Sequence, residues 1–484
     1  LRILLALPST FRYKKENVWE ELPVRILITG ATGFVGRSLC TRLLCDGHEL
    51  TLILRRPESL PGDWSLPCQT LIWDPTKAEC PHDLEAFDAV VNLMGESIAQ
   101  GAWTPARKES IRLSRGLATR RLGAALAKRT RPLSCFVSTS AIGYYPYDKE
   151  PYDAAPGFTE DSGPGSHFLS EVCQEWEAAA LAAPAERHVI LRVGMVIGPN
   201  GGAMEKLRPL FAAGLGGRLG NGHQIMSWVH RDDLISMYSE AIKDKSWQGI
   251  YNAVSPEAIT NRVFTKTLAE VLRRPALFAV PAFAMRTALG EMSEMLLQSQ
   301  KVIPQRLVLR KFNYRYPKLD MALDDACAFH RLESQQFLAR PLSDVFEFFC
   351  NPHNLERITP ETLNFKIETI SSPAISAGTT ITYRLRLHGV PFRWKTLIKE
   401  WEPGRYFIDT QEKGPYAAWH HTHRFHEVAG GTLMTDEVKY QVPLGWLGES
   451  TALPLVRSEV KKIFQHRRRV IAQMFSPLAS KSST

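Results

Sequence analysis

Ile28-Thr29-Gly30-Ala31-Thr32-Gly33-Phe34-Val35-Gly36 follows the apolar run 24–29 and opens a stretch in which Leu39, Leu43 and Leu44 recur at helical spacing. A buried strand, a glycine turn and a helix in that order form a mononucleotide-binding unit. Gly30 permits the tight turn, Gly33 lets backbone N–H groups approach a pyrophosphate at the positive end of the helix, and Gly36 allows close helix-to-sheet packing. Thr32, Phe34 and Val35 share this loop and first helical turn, so all six are candidate cofactor contacts. The next apolar run ends at Leu54-Arg55-Arg56. An acidic residue there would hold the ribose 2′-hydroxyl of NAD, whereas Arg suits the 2′-phosphate of NADP. A charge-assisted hydrogen bond is worth about 1.5–3 kcal/mol, so Arg55 and Arg56 favour NADP(H) by roughly tenfold to a hundredfold.

Outward from this unit, apolar runs at 49–54, 70–73, 89–93, 135–138 and 188–193 alternate with helical stretches. That alternation reads as an α/β doubly wound Rossmann domain with a parallel sheet. From 260 to 323 the chain turns helical and Pro-punctuated. Near Arg331 its character changes again. Runs at 379–387, 392–401, 406–411, 418–428 and 431–442 read as antiparallel strands, with helices at 342–355 and 455–475 on either side. The expected partition is an N-terminal extension (1–23), a nucleotide-binding domain (24–325) with a helical substrate-side part (255–325), an α+β helix-grip domain (331–476) and a tail (477–484).

The 484 residues are 44% hydrophobic and 23% charged, which suits two to four globular domains. No run approaches the roughly 18–20 apolar residues of a membrane-spanning helix. The apolar start at 1–8 lacks a small-residue cleavage site and reads as a leader or a frayed end; the sequence begins at Leu1, which leaves its true start open. Eight cysteines stand singly with no C-x-x-C pair, which points to a reducing, cytoplasmic setting. The net charge of +9 is not a general polyanion-binding surface: the basicity of the C-terminal part is concentrated in its closing helix, so no nucleic-acid partner is expected.

With the opening glycine segment, Asp88-Ala89-Val90-Val91-Asn92-Leu93-Met94-Gly95-Glu96, Ser138-Thr139-Ser140-Ala141-Ile142-Gly143-Tyr144-Tyr145 and Ser227-Trp228-Val229-His230-Arg231-Asp232-Asp233 resemble the extended short-chain dehydrogenase/reductase superfamily. More narrowly they resemble its atypical YfcH-like branch, often labelled nucleoside-diphosphate-sugar epimerase or SulA-type cell-division inhibitor. The resemblance covers about 24–323. It implies NADP(H) as cofactor, with Asn92, Leu93, Gly95 and Arg115 beside it, and an oxidoreductase or epimerase-like activity.

Standard enzymes of that superfamily hold the substrate oxygen with a Ser or Thr and move a proton through Tyr-x-x-x-Lys. Ser140 resembles the first group. The Tyr and Lys positions fall on Leu169 and Cys173, counted back from Glu177. Neither can do that work, because Leu has no proton to transfer and a neutral thiol carries no fixed charge. Three readings stand open: another proton donor among Tyr144, Tyr145, Glu160 and Asp161; hydride transfer with little acid–base help; or NADP(H) binding without turnover, as a sensor or regulator. Aromatic packing is the ordinary role of Tyr144 and Tyr145. The segment at 220–228 offers His223, Gln224 and Trp228 as substrate-side candidates.

In the C-terminal part, Ala339-Arg340-Pro341-Leu342-Ser343-Asp344-Val345-Phe346, the segment 414–425 and Asp436-Glu437-Val438-Lys439-Tyr440 resemble SRPBCC-type, START-like domains of the polyketide cyclase/dehydrase group. This implies a cavity for an apolar small molecule, or a lipid carrier. Strand alternation puts Trp419, His421 and His423 on one face and His420, Arg424 and His426 on the other. Trp419, His421 and His423 are therefore ligand-side candidates. Two histidines on a face fall short of a metal site, so none is expected. The run Lys461, Lys462, Arg467, Arg468 and Arg469 reads as a solvated helix face.

Overall fold

The computed structural model describes residues 23–148, 156–387 and 389–475, so nearly all of the expected N-terminal extension, and the 477–484 tail, lie outside the described residues. The N-terminal domain is built on β1 (Arg25–Thr29), β2 (Glu49–Leu54), β3 (Gln69–Ile72), β4 (Ala89–Asn92), β5 (Cys135–Ala141), β6 (His188–Val193) and a last strand, Gly249–Ala253. Starting from that last strand, the order is β6, β5, β4, β1, β2, β3, and every neighbouring pair is parallel.

Both faces of such a sheet are covered, so consecutive residues of a strand enter different cores. Ile26 and Ile28 pack with Leu39 and Leu43 of helix α1 (Phe34–Cys45). Leu27, between them, packs on the other side with Leu122 and Leu126 of the helix Ala118–Leu126. The strand order reverses between β1 and β4, and the crevice beyond their C-terminal ends is where such sheets bind ligands. The strand Gly249–Ala253 has no counterpart in the expected set: Gly-Ile-Tyr-Asn-Ala carries too little apolar character, and its partner β6 decides it.

The C-terminal sheet is antiparallel throughout, in the order His330–Leu338, Gly431–Gln441, Ala418–Val428, Tyr406–Lys413, Val390–Glu402, Thr380–Leu387, Lys366–Ile370. Its first and last strands are additions to the expected set, because their polar residues hide the alternation. The helices Leu342–Cys350 and Leu453–Met474 cover one face, where Phe346, Phe349 and Ile471 join Phe407, Phe425 and Met434. The single helix expected at 342–355 ends at Cys350 and resumes at Asn354–Ile358. Pro352 explains the break, since it lacks an N–H and turns the preceding residue from helical geometry.

The other face of this sheet lies on the nucleotide-binding domain. Val428 and Leu433 enter the same core as Leu39 and Leu43, and the Phe337 N–H donates to the Ser65 carbonyl at 3.1 Å. Arg331 is buried between Asp325 and Glu437, 2.8 Å from each.

Candidate functional site

The glycine turn is set by steric crowding. Gly30 has φ +68°, and a Cβ there would stand 2.6 Å from the Leu93 carbonyl oxygen. A Cβ on Gly36 would meet the Gly30 carbonyl at 2.4 Å, while one on Gly33 would meet it at 3.3 Å. Helix α1 starts at an N-cap, Gly33, that has no side chain to satisfy the first-turn N–H groups. Those donors and the positive helix end fit a pyrophosphate, and a cradle that any Cβ would fill fits its close approach. Thr32 is half-buried at the loop. The Phe34 ring turns away beneath the Gly201–Gly202 turn, and Val35 packs into the core, so these two residues offer only backbone to a cofactor.

At the end of β4, Asn92 is fully buried and its amide is consumed by protein partners. It accepts from Thr29 Oγ1 at 2.9 Å and donates to Thr119 Oγ1 at 3.0 Å and Ser138 Oγ at 3.1 Å. This corrects its expected role: Asn92 ties three elements together and leaves no free group for a cofactor. Leu93 faces Gly30 across the crevice through its carbonyl. Gly95 gives room to Arg115, whose guanidinium would lie 3.0 Å from a Cβ there. Arg115 donates to the Glu96 carbonyl at 2.8 Å and lies over the Trp176 ring. It sits in a single π-helical turn, Leu113–Leu117, a feature often found at functional sites. Arg55 and Arg56 follow β2 and are exposed; Arg55 is 4.0 Å from Glu96 and its side chain is 64% accessible, free to reach a phosphate.

The expected catalytic residues are brought together, but as a buried network. Ser140 Oγ donates to Glu177 Oε1 at 2.6 Å. Glu177 is held in a two-pronged ion pair by Arg192, whose Nε and Nη2 donate at 2.8 Å each. Arg192 also donates to the Tyr145 hydroxyl at 2.8 Å, which in turn donates to Asn252 Oδ1 at 2.7 Å. Ser140 and Tyr145 are buried, and burial pushes the Tyr145 phenol up to about 12 against the opposing pull of Arg192. The expectation that these two residues act on substrate is therefore corrected: their polar atoms are spent on Glu177, Arg192 and Asn252. Tyr144 differs. Its ring stacks 3.4 Å from the Arg192 guanidinium carbon, it is half-exposed, and its hydroxyl has no hydrogen-bond partner among the described residues.

Leu169 and Cys173 lie one turn apart on the helix Phe168–Leu181 and both face Gly143. Burial and the Glu177 carboxylate push the Cys173 thiol up to about 11, so it stays neutral and supplies no positive charge where the Lys is missing. Glu160 is buried and accepts the Asn252 N–H at 3.0 Å, while Asp161 pairs with Arg306 at 2.8 Å. On the substrate side, His223 is exposed beside Arg262. Gln224 and Trp228 are buried rather than open to a substrate as expected. Gln224 is buried and donates to the carbonyls of Leu219 and Leu296, and Trp228 is fully buried in the core shared with Phe264 and Leu268.

The C-terminal sheet and its helices enclose a cavity of about 190 Å³. Phe348, Ile381, Trp394 and Phe407 line it, and so do Trp419, His421 and His423 as alternation required. Asp409 and Arg467, which the sequence reading missed, also line it, and Asp436 lies behind the two histidines. Asp409 and Asp436 stand on the strands flanking that of the histidines. Arg467, read as part of a solvated run, is instead 9% exposed and turned inward. Its position four residues after Ile463 and four before Ile471, on the apolar face, was the available signal.

The family described as the NAD dependent epimerase/dehydratase family matches residues 26–253, and two families described as domains of unknown function match 280–326 and 364–475. The human epimerase family protein SDR39U1 is 35% identical over 311 residues, covering 63% of this chain and 100% of that protein. An epimerase family protein of Mycobacterium tuberculosis is 35% identical over 302 residues, covering 62% of this chain and 96% of its own. The crystal structure of human SDR39U1 (isoform 2) with NADPH is 34% identical with a TM-score of 0.54, covering 62% of this chain and 98% of that one. The nucleoside-diphosphate sugar epimerase from Corynebacterium glutamicum is 30% identical with a TM-score of 0.50, over 63% of this chain and 59% of that one. A glycine turn at the switch point of a parallel sheet and a human relative 35% identical over its whole length lead to one conclusion: the chain belongs to the NAD-dependent epimerase/dehydratase family.

Proposed function

We propose that the N-terminal domain binds NADP(H) across the ends of β1 and β4 and works as an oxidoreductase or epimerase-like enzyme, and that the fused C-terminal domain, START-like in its sheet and gripping helix, houses an apolar small molecule. The observation that carries the nucleotide reading is the Gly30–Gly36 cradle at the uncapped start of α1. NADPH in the human relative's crystal structure supports it, and exposed Arg55 and Arg56 supply the 2′-phosphate contact. Bound NADP(H) supplies or accepts the hydride. The chain's own part is to bind the pyrophosphate on backbone N–H groups, to hold the crevice through Asn92, and to offer Tyr144 as proton donor. The Arg192 guanidinium stacked beneath the Tyr144 ring holds that ring in place.

A second reading, NADP(H) sensing without turnover, draws on Leu169, Cys173 and the locked Ser140. Calorimetric titration of NADPH and NADH into the full chain tests the shared premise. Tight NADPH binding that weakens selectively in Arg55→Ala and Arg56→Ala supports it; no binding of either nucleotide ends both readings. Turnover of added carbonyl substrates then separates enzyme from sensor.

A further inference from the structure

Asp409 and His421 are paired across neighbouring strands, and His423 follows two residues on, on the same face. One donor atom from each of the three lies within 4.8 Å of the other two. Asp409 Oδ2 stands 3.4 Å from His421 Nδ1 and 3.3 Å from His423 Nε2. Both are longer than the usual N–H···O distance near 2.9 Å, although the His423 contact still meets hydrogen-bond geometry. They match the edge, about 3.3 Å, of a tetrahedron whose donors stand 2.0–2.1 Å from a zinc-sized ion.

Each imidazole turns its other nitrogen to a second carboxylate. Asp436 Oδ1 lies 3.1 Å from His421 Nε2 and 2.7 Å from His423 Nδ1, though the latter contact lacks hydrogen-bond angles. A carboxylate behind a ligating histidine fixes its tautomer and ring orientation. We infer that Asp409, His421 and His423 form a binding site for a divalent transition metal of the zinc class, with Asp436 as the carboxylate behind both imidazoles and a coordination position open to the apolar cavity.

The local charge agrees. The two carboxylates share the cluster with one guanidinium, Arg467, which acts on Asp436, has no ion pair of its own within 4 Å among the described residues, and whose Nε has no hydrogen-bond partner. With both imidazoles neutral, as metal ligands must be, a divalent ion turns the net charge from −1 to +1, which suits an oxygen ligand carrying negative charge at the open position. The ligand class that follows is an apolar molecule ending in a carboxylate or polarisable carbonyl, its body against Phe407 and Trp394. Three protein ligands with an open fourth position are the arrangement of Lewis-acid sites rather than of structural ones. The inference does not depend on nucleotide binding.

The test is metal uptake by the full chain after chelator treatment, titrated with Zn2+ by calorimetry and with Co2+ by visible absorption. The expected result is one ion per chain, with the intense d–d bands of four- or five-coordinate Co2+. Uptake is lost in His421→Ala and His423→Ala, weakened roughly tenfold to a hundredfold in Asp436→Asn, and kept in His420→Ala on the opposite face. Asp409→Asn keeps the side-chain shape while removing the anionic donor, and its melting curve shows whether the fold survives. Absence of stoichiometric uptake, or uptake unchanged in folded Asp409→Asn, overturns the inference and leaves a hydrogen-bonded His–Asp cluster balanced by a proton.

Discussion

Ser140 Oγ donates to Glu177 Oε1 at 2.6 Å, and both residues are buried. The serine that by position resembles a substrate-holding group thus completes the coordination of an ion-paired carboxylate. Ser140→Ala removes a hydrogen bond to a charged group and should cost about 1.5–3 kcal/mol of stability. Urea unfolding checks this. NADPH affinity should change by less than about threefold, since a lost buried hydrogen bond moves stability before it moves a site elsewhere. A tenfold loss of turnover at unchanged stability would return Ser140 to a direct catalytic role.

Tyr144→Phe should do the reverse. The hydroxyl has no hydrogen-bond partner among the described residues, so the melting temperature should hold, and the ring's stacking on Arg192 is kept. If Tyr144 moves the proton, the rate of NADPH oxidation should fall roughly 10²- to 10⁴-fold. Steady-state kinetics on a turned-over carbonyl substrate reads this, and an unchanged rate removes Tyr144 from the mechanism.

Alanine at the three glycines should rank by the space each has. Gly36→Ala meets backbone at 2.4 Å, and Gly30→Ala meets backbone at 2.6 Å while also needing φ +68°. Each should cost about 1–3 kcal/mol or more and abolish measurable NADPH binding. Gly33→Ala, at 3.3 Å, should leave the fold nearly intact. Equal losses of stability at all three positions would contradict the steric account.

His426 gives the stability a pH dependence. It lies on the sheet face turned to the first domain; burial, then the charges of Arg424 and Arg405, hold its imidazole down to about 4. A histidine whose folded pKa is depressed binds fewer protons than its unfolded form between the two values. Its contribution is therefore fully present above about pH 6.5 and is lost as pH falls from 6.5 towards 4. At face value the loss is no more than about 3 kcal/mol. The urea midpoint should drop between pH 7 and pH 5 in the native chain, and drop less in His426→Gln.

The domain interface supplies a salt-insensitive test. Arg331 is 4% exposed at its side chain and pairs with Asp325 and Glu437. Arg331→Met leaves Asp325 and Glu437 to Lys439, 3.3 and 3.8 Å away, and should cost about 1.5–3 kcal/mol, with part restored by adding Asp325→Asn. Unfolding in low and high salt should give the same difference, because buried pairs are little screened.

Much of the fold was legible because its signals are local. The glycine turn needs only neighbouring residues to specify a strand, a positive φ and an uncapped helix, and β1, β2 and β6 are apolar enough to be read alone. The Leu169 and Cys173 substitutions were equally plain, since one helix carries both. Gly249–Ala253 and His330–Leu338 were not legible, because strands of mixed polarity become strands only through their partners β6 and Gly431–Gln441.

By itself the sequence determined the nucleotide-binding turn, the two sheet types and the face on which His421 and His423 lie, all consequences of backbone sterics and side-chain periodicity. Only the tertiary structure decided that Ser140 and Tyr145 are spent on Glu177 and Arg192, and that Asp409, Asp436 and Arg467 gather around the two histidines. Those partners come from separate elements, 12 to 15 residues away for the aspartates and farther for Arg467. Strand register and helix docking, not chain neighbourhood, set the distances over which charges and hydrogen bonds act.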